Sequence, residues 1–196
     1  MKKFNVQKLV GIAMLAAIVV VLQFIGSYIK FGDVSISLVL LPIVVGAAIY
    51  GPSAGAILGG VFGIVIIAGY LSGNVDFLWM ANPVATALVC LIKGCGAGFV
   101  SGCVYRLFAK SKFSSGKIIG AYASAITCPV VNTGIFLLAM FTIFKQQLVE
   151  IAGNTSTIYF AFVVLAGVNF LVELAVNVVL APVIVGVMNA IKGNKR

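Results

Sequence analysis

The sequence predicts an all-α membrane protein: a compact bundle of six transmembrane helices, one domain over residues 1–196, with both termini cytoplasmic. Three observations predict it. First, 62% of the residues are hydrophobic and 9% are charged, with a mean hydropathy of +1.22. A soluble domain needs roughly 25% charged residues to solvate its surface, so much of this surface must face lipid. Second, the apolar residues fall into long runs, and about 20 apolar residues suffice to cross a bilayer as a helix. Third, the basic residues are segregated. Six crossings put segments 1–8, 50–52, 106–117 and 191–196 inside, and these hold Lys2, Lys3, Lys8, Arg106, Lys110, Lys112, Lys117, Lys192, Lys195 and Arg196. The outer segments hold only Lys30 and Lys145. This is the positive-inside pattern. It accounts for the net charge of +9 without nucleic acid, since no basic stripe is interleaved with aromatics as in single-strand binders.

The elements follow in order. The first span covers about 8–29, too long for a signal-peptide core, and ends at the polar step Lys30 to Asp33. The second covers about 35–49 and stops at Tyr50-Gly51-Pro52, where glycine permits a turn and proline cannot continue the ladder. The third covers about 53–70. Residues 71–83 carry Asn74, Asp76, Trp79 and Asn82 and predict an outer loop or re-entrant piece. The fourth span covers about 83–108, followed by the basic loop 110–117. The fifth covers about 118–144 with Pro129 inside it, and 145–157 is polar. The sixth covers about 158–190, long enough to tilt. Gly55, Gly59 and Gly63 recur every four residues, as do Gly94, Gly98 and Gly102. Such small-residue faces let membrane helices pack closely.

Ionisable residues inside spans are costly and are functional candidates by default. Two occur, Lys93 in the fourth span and Glu173 in the sixth. They can pair with each other, touch a ligand, or do both. Asn169, Glu173 and Asn177 are spaced by four and share one helical face. Asn132 and Thr133 fall in the outer half of the fifth span, just beyond Pro129. Trp79 can serve as a bilayer anchor or as a platform for a flat ligand. Spans four, five and six, capped by 71–83, therefore predict an outward pocket with few charges and several amides, suited to a small, partly polar organic molecule. The candidate substrate-binding residues are Asn74, Trp79, Asn82, Lys93, Asn132, Thr133, Asn169 and Glu173. One intramembrane lysine and a single tryptophan point away from a cationic heteroaromatic such as thiamin and towards a neutral or anionic ligand, pantothenate or riboflavin among others.

The inventory also excludes chemistry. There is no histidine, and Cys90, Cys95, Cys103 and Cys128 lie in apolar runs without a CxxC pair, so neither a zinc site nor a catalytic triad is expected. No Walker A sequence is present. No enzyme activity, metal or cofactor is expected.

The chain resembles the substrate-binding S components of energy-coupling factor (ECF) vitamin transporters. The resemblance runs over nearly the whole length and rests on several stretches in order. Ala13-Met14-Leu15-Ala16-Ala17 is similar to the family's AxxxA contact for the transmembrane coupling protein. SISLVLLPIVVGAAIYGPSAGAILGGVFG (35–63), CPVVNTGIF (128–136) and NFLVELAVNVVLAP (169–182) are similar to family sequences. The resemblance implies a six-helix bundle in a bacterial plasma membrane that binds a vitamin from outside. It also implies partnership with a T protein and two ABC-type ATPases, with Ala13 and Ala17 at the contact. The same alanine strip can instead pack within the chain. The rival readings are a stand-alone secondary transporter or small channel coupling protons through Lys93 and Glu173, and a structural assembly subunit.

Overall fold

The computed structural model describes residues 6–28, 30–31, 34–35, 38–110 and 116–193. Lys2, Lys3, Lys112, Lys195 and Arg196 of the basic segments lie outside these residues, as does Asp33. Helix α1 (Val6–Tyr28) leads into a two-stranded antiparallel ladder, β1 (Lys30–Phe31) and β2 (Val34–Ser35), with Lys30 opposite Ser35. Then come α2 (Leu40–Tyr50), α3 (Pro52–Leu71), the five-residue α4 (Phe77–Ala81), α5 (Pro83–Ala109) and α6 (Gly116–Thr142). The chain closes with α7 (Lys145–Ala152), α8 (Thr157–Tyr159), a π-helical turn at Phe160–Leu165, and α9 (Gly167–Gly193). Five helical stretches are long and apolar enough to span a membrane, and the shorter apolar α2 makes up a six-helix bundle.

Two elements differ from expectation. The second span starts at Leu40 rather than 35, because Val34 and Ser35 pair in the ladder instead. Its 11 residues rise only about 16 Å. The polar stretch after α6 is not irregular but forms α7, whose Leu148 and Ala152 are four residues apart and buried. It is amphipathic and too short to cross.

Contacts at the turns fix which ends lie together. The Tyr50 ring lies over Gly11, and the Arg106 guanidinium lies over Gly51, where the backbone takes φ 100°. The start of α1, the α2–α3 turn and the basic end of α5 therefore share one end of the bundle, the basic end. The ladder, the α3–α5 connection and the α6–α9 connection lie at the other.

Packing is tightest between α3 and α5. A β-carbon added at Gly59 would strike the Gly94 carbonyl, and one at Gly55 the Gly98 carbonyl. One at Gly63 would sit 2.8 Å from the Cys90 carbonyl oxygen. At the first two contacts glycine stands on both helices, which allows this approach and brings Cα–H groups against carbonyl oxygens. Around this seam the main core gathers Val19, Leu40, Ile43, Leu58, Phe62, Ala97 and Ile184. A second cluster, Leu78, Val89, Met140, Phe144, Leu148 and Ala161, fills the far end. Helix α1 is the least enclosed: 11% of its apolar window is buried, against 33% in α3, α5 and α6.

Candidate functional site

A cavity of about 180 Å³ opens at the end away from the basic turns, between α5, α6 and the start of α9. Each wall follows from helical spacing. On α5, Val89, Cys90 and Lys93 follow Thr86 by three, four and seven residues and share its face. On α6, Asn132, Thr133 and Phe136 line the opposite side. Pro129 sits one turn earlier in α6 and cannot donate to the Ala125 carbonyl. Leu165, Ala166 and Asn169 close the third wall. They flank the point where the helix changes from π to α, marked by a bond from Ala166 N to Ala161 O at 3.1 Å. Such insertions recur at functional sites.

The α3–α5 connection covers the mouth and is tied down at three points. The Asp76 carboxylate caps α4 by accepting from Trp79 N at 2.9 Å. Its other oxygen accepts from the Tyr70 hydroxyl at 2.7 Å. The Thr86 hydroxyl donates to the Leu78 carbonyl at 2.8 Å. The Trp79 ring stacks on Tyr70 with centroids 5.1 Å apart, so it is Tyr70, not Trp79, that lines the cavity.

Of the residues singled out in the sequence, Lys93, Asn132, Thr133 and Asn169 come together around the cavity. Asn82 does not: its side chain caps α5, accepting from Ala85 N at 3.0 Å. Asn74 is exposed and away from the cavity. Glu173 is 1% exposed and sits one turn behind Asn169, which donates to Glu173 Oε1 at 3.2 Å. Asn177 continues the stripe, but it donates to the Glu173 backbone carbonyl at 2.7 Å and lies beyond the cavity. Lys93 and Glu173 form no direct ion pair. The ammonium lies between two aromatic faces, 5.9 Å from the Phe62 centroid and 5.5 Å from that of Phe136. Glu173 Oε2 is buried with no hydrogen-bond partner, as are Oδ1 of Asn132 and of Asn169.

The lining residues that sequence reasoning missed include Tyr70, Thr86, Cys90, Phe136, Phe144 and Leu165. Counting along the helix from the chosen polar residues finds four of them: Thr86 and Cys90 precede Lys93 by seven and three, Phe136 follows Asn132 by four, and Leu165 precedes Asn169 by four.

The model of the family described as "ECF transporter, substrate-specific component" matches residues 7–185. The chain belongs to this family. No curated protein and no solved structure matches it significantly. This S component is thus an integral membrane protein of a transport family whose members bind a small-molecule substrate and associate with an ECF T protein and ATPases. On α1 of the S component, Ala13 and Ala17 are exposed, on a face they share with Met14, Ile18 and Val21. Among the described residues, packing does not cover that strip.

Proposed function

We propose that this S component captures a small, neutral or anionic vitamin-like molecule at the outer face and passes it inward when coupled to a T protein and two ABC-type ATPases. The observation that carries the reading is the cavity ringed by Lys93, Asn132, Thr133 and Asn169 at the end opposite Gly51 and Arg106. Basic segments stay cytoplasmic, so the opposite end is the outer one. The exposed Ala13 and Ala17 supply the smooth face for the T protein, because small side chains let membrane helices approach.

Mass spectrometry of small molecules co-purified with the protein tests the reading. A water-soluble vitamin or a close precursor is expected, and titration of the stripped protein with that compound should give saturable 1:1 binding. Reporter fusions at residue 113 and at the C-terminus should report inside, and one at residue 152 outside. An outside C-terminus would put the cavity on the cytoplasmic face and overturn the direction of capture.

A further inference from the structure

We infer that the ligand is a small anion carrying at least two N–H or O–H donors, no bulkier than one ring with short substituents; this rests on the binding reading above. The argument begins with Glu173. A carboxylate accepts hydrogen bonds, so an amide beside it must turn its NH₂ group towards it. Asn169 does so at 3.2 Å, and the Asn132 amide is directed at the same carboxylate. Glu173 therefore sets which way both amides face. The Asn169 nitrogen is used within the protein, and the oxygens of both amides are left over. Both oxygens are buried and without a partner, and so is Glu173 Oε2. Asn132 is 5% exposed, so bulk water does not serve it. This side of the cavity calls for donors.

The facing wall calls for the opposite. Lys93 has three donors and no acceptor. The Phe62 and Phe136 rings flank its ammonium, and among the described residues no carboxylate forms an ion pair with it, the Glu173 charge acting on it only from farther off. Rings offer a cation only part of what an anion does. A carboxylate, sulfonate or phosphate on the ligand supplies the rest. Size adds a third limit. A dry void of about 150 Å³ holds one benzene ring, and this cavity, open at its mouth, is about 180 Å³. A fused tricyclic ring system exceeds it; an acyclic hydroxy-acid amide or a single substituted ring does not. Of the two ligands that the sequence suggested, pantothenate has this chemistry and riboflavin does not.

The test is competitive retention by the stripped full-length protein in nanodiscs. It is incubated with an equimolar mixture of pantothenate, biotin, nicotinate, pyridoxine, riboflavin and thiamin, desalted, and read by mass spectrometry. Retention of pantothenate is expected; retention of biotin, a donor-bearing anion with two fused rings, overturns the size limit. Retention of thiamin, riboflavin or uncharged pyridoxine overturns the inference while leaving the binding reading intact, and so does nicotinate, which has an anion but no donors. Retention of none removes the binding reading and this inference with it. The retained acid and its neutral carboxamide are then titrated against wild type and Lys93→Met. In wild type the acid should bind about 10- to 100-fold more tightly than the carboxamide. In Lys93→Met that preference should vanish, with the acid losing about 10- to 100-fold more affinity than the carboxamide. Equal weakening of both compounds would make Lys93 a purely structural residue and sink the assignment of the anion to it.

Discussion

Helix α5 meets its two neighbours in opposite ways. Towards α3 it presents Gly94 and Gly98, backbone against backbone, with no room for a methyl group. Towards α6 and α9 it presents Lys93, Cys90 and Thr86 across a cavity of about 180 Å³. Lys93 and Gly94 are adjacent in the chain, so the change from closest contact to open space occurs within one residue. The seam holds α5 still, and stillness on one side is what lets the other side keep a shaped gap. Without the seam, a helix with a long polar side chain facing a void has little to stop it closing the void.

The largest expected effect comes from breaking the seam. Gly59→Val drives a branched side chain into the Gly94 carbonyl, so α3 and α5 must part. Size-exclusion chromatography in detergent should show loss of the monodisperse protein. Gly69→Ala and Gly134→Ala have nothing within 4 Å of the added carbon and should elute and melt as wild type. A well-behaved Gly59→Val protein would mean that the two helices are not so close.

Next in size is an effect on transport alone. Ala13→Trp or Ala17→Trp places a bulky ring on the exposed strip of α1. Uptake in cells co-expressing the T protein and ATPases should fall to background, while ligand titration of the purified variant stays unchanged. Normal uptake by both variants would remove this strip as the coupling face.

The cavity wall gives a smaller, divided effect. Asn132→Leu removes a buried oxygen that has no partner, and unpaired buried groups cost about 1–3 kcal/mol. It also removes the NH₂ group directed at the buried Glu173 carboxyl, so the two changes offset and the variant should melt near the wild-type temperature, yet bind roughly 10-fold more weakly, the value of one hydrogen bond to the ligand. Asn169→Ala should weaken binding similarly. Unchanged affinity in both would move the ligand elsewhere. The smallest effect belongs to the cover over the mouth. Tyr70→Phe deletes the 2.7 Å bond to Asp76 and keeps the stack on Trp79. Affinity should drop about two- to tenfold, with the change in the dissociation rate measured by stopped flow.

The bundle was legible because spanning helices are long apolar runs, and α3, α5 and α6 begin and end within a few residues of the predicted limits. The late start of α2 was not, because Val34 and Ser35 sit in a region apolar enough to continue a helix. Only the pairing partner, supplied from Lys30 and Phe31, turns them into strand. Helix α7 was missed because its Gln, Lys and Glu side chains hide two buried positions, Leu148 and Ala152. At the site, polar residues in spans stood out because lipid penalises them, so Lys93, Asn132 and Asn169 were found. The apolar walls did not stand out by residue type, since Phe136 or Leu165 looks no different in sequence from a phenylalanine or leucine facing lipid; only their spacing from Asn132 and Asn169 marks them. Asn82 misled for a different reason: an asparagine before a proline-led helix is as good a cap as a ligand group, and here it caps.

The π turn at Phe160–Leu165 has a consequence for how related chains can differ in length. A π turn contains one residue more than the α turn it replaces. Losing one residue there lets the ladder revert to α with the segments on either side still in phase. Losing one between Asn169 and Glu173 turns everything before it by about 100°, and the amide no longer meets the carboxylate that it serves at 3.2 Å. Aligned sequences of this family should therefore place single-residue gaps within 160–165 and none within 169–173. A one-residue deletion at Val163 should likewise preserve folding where a deletion at Leu171 does not.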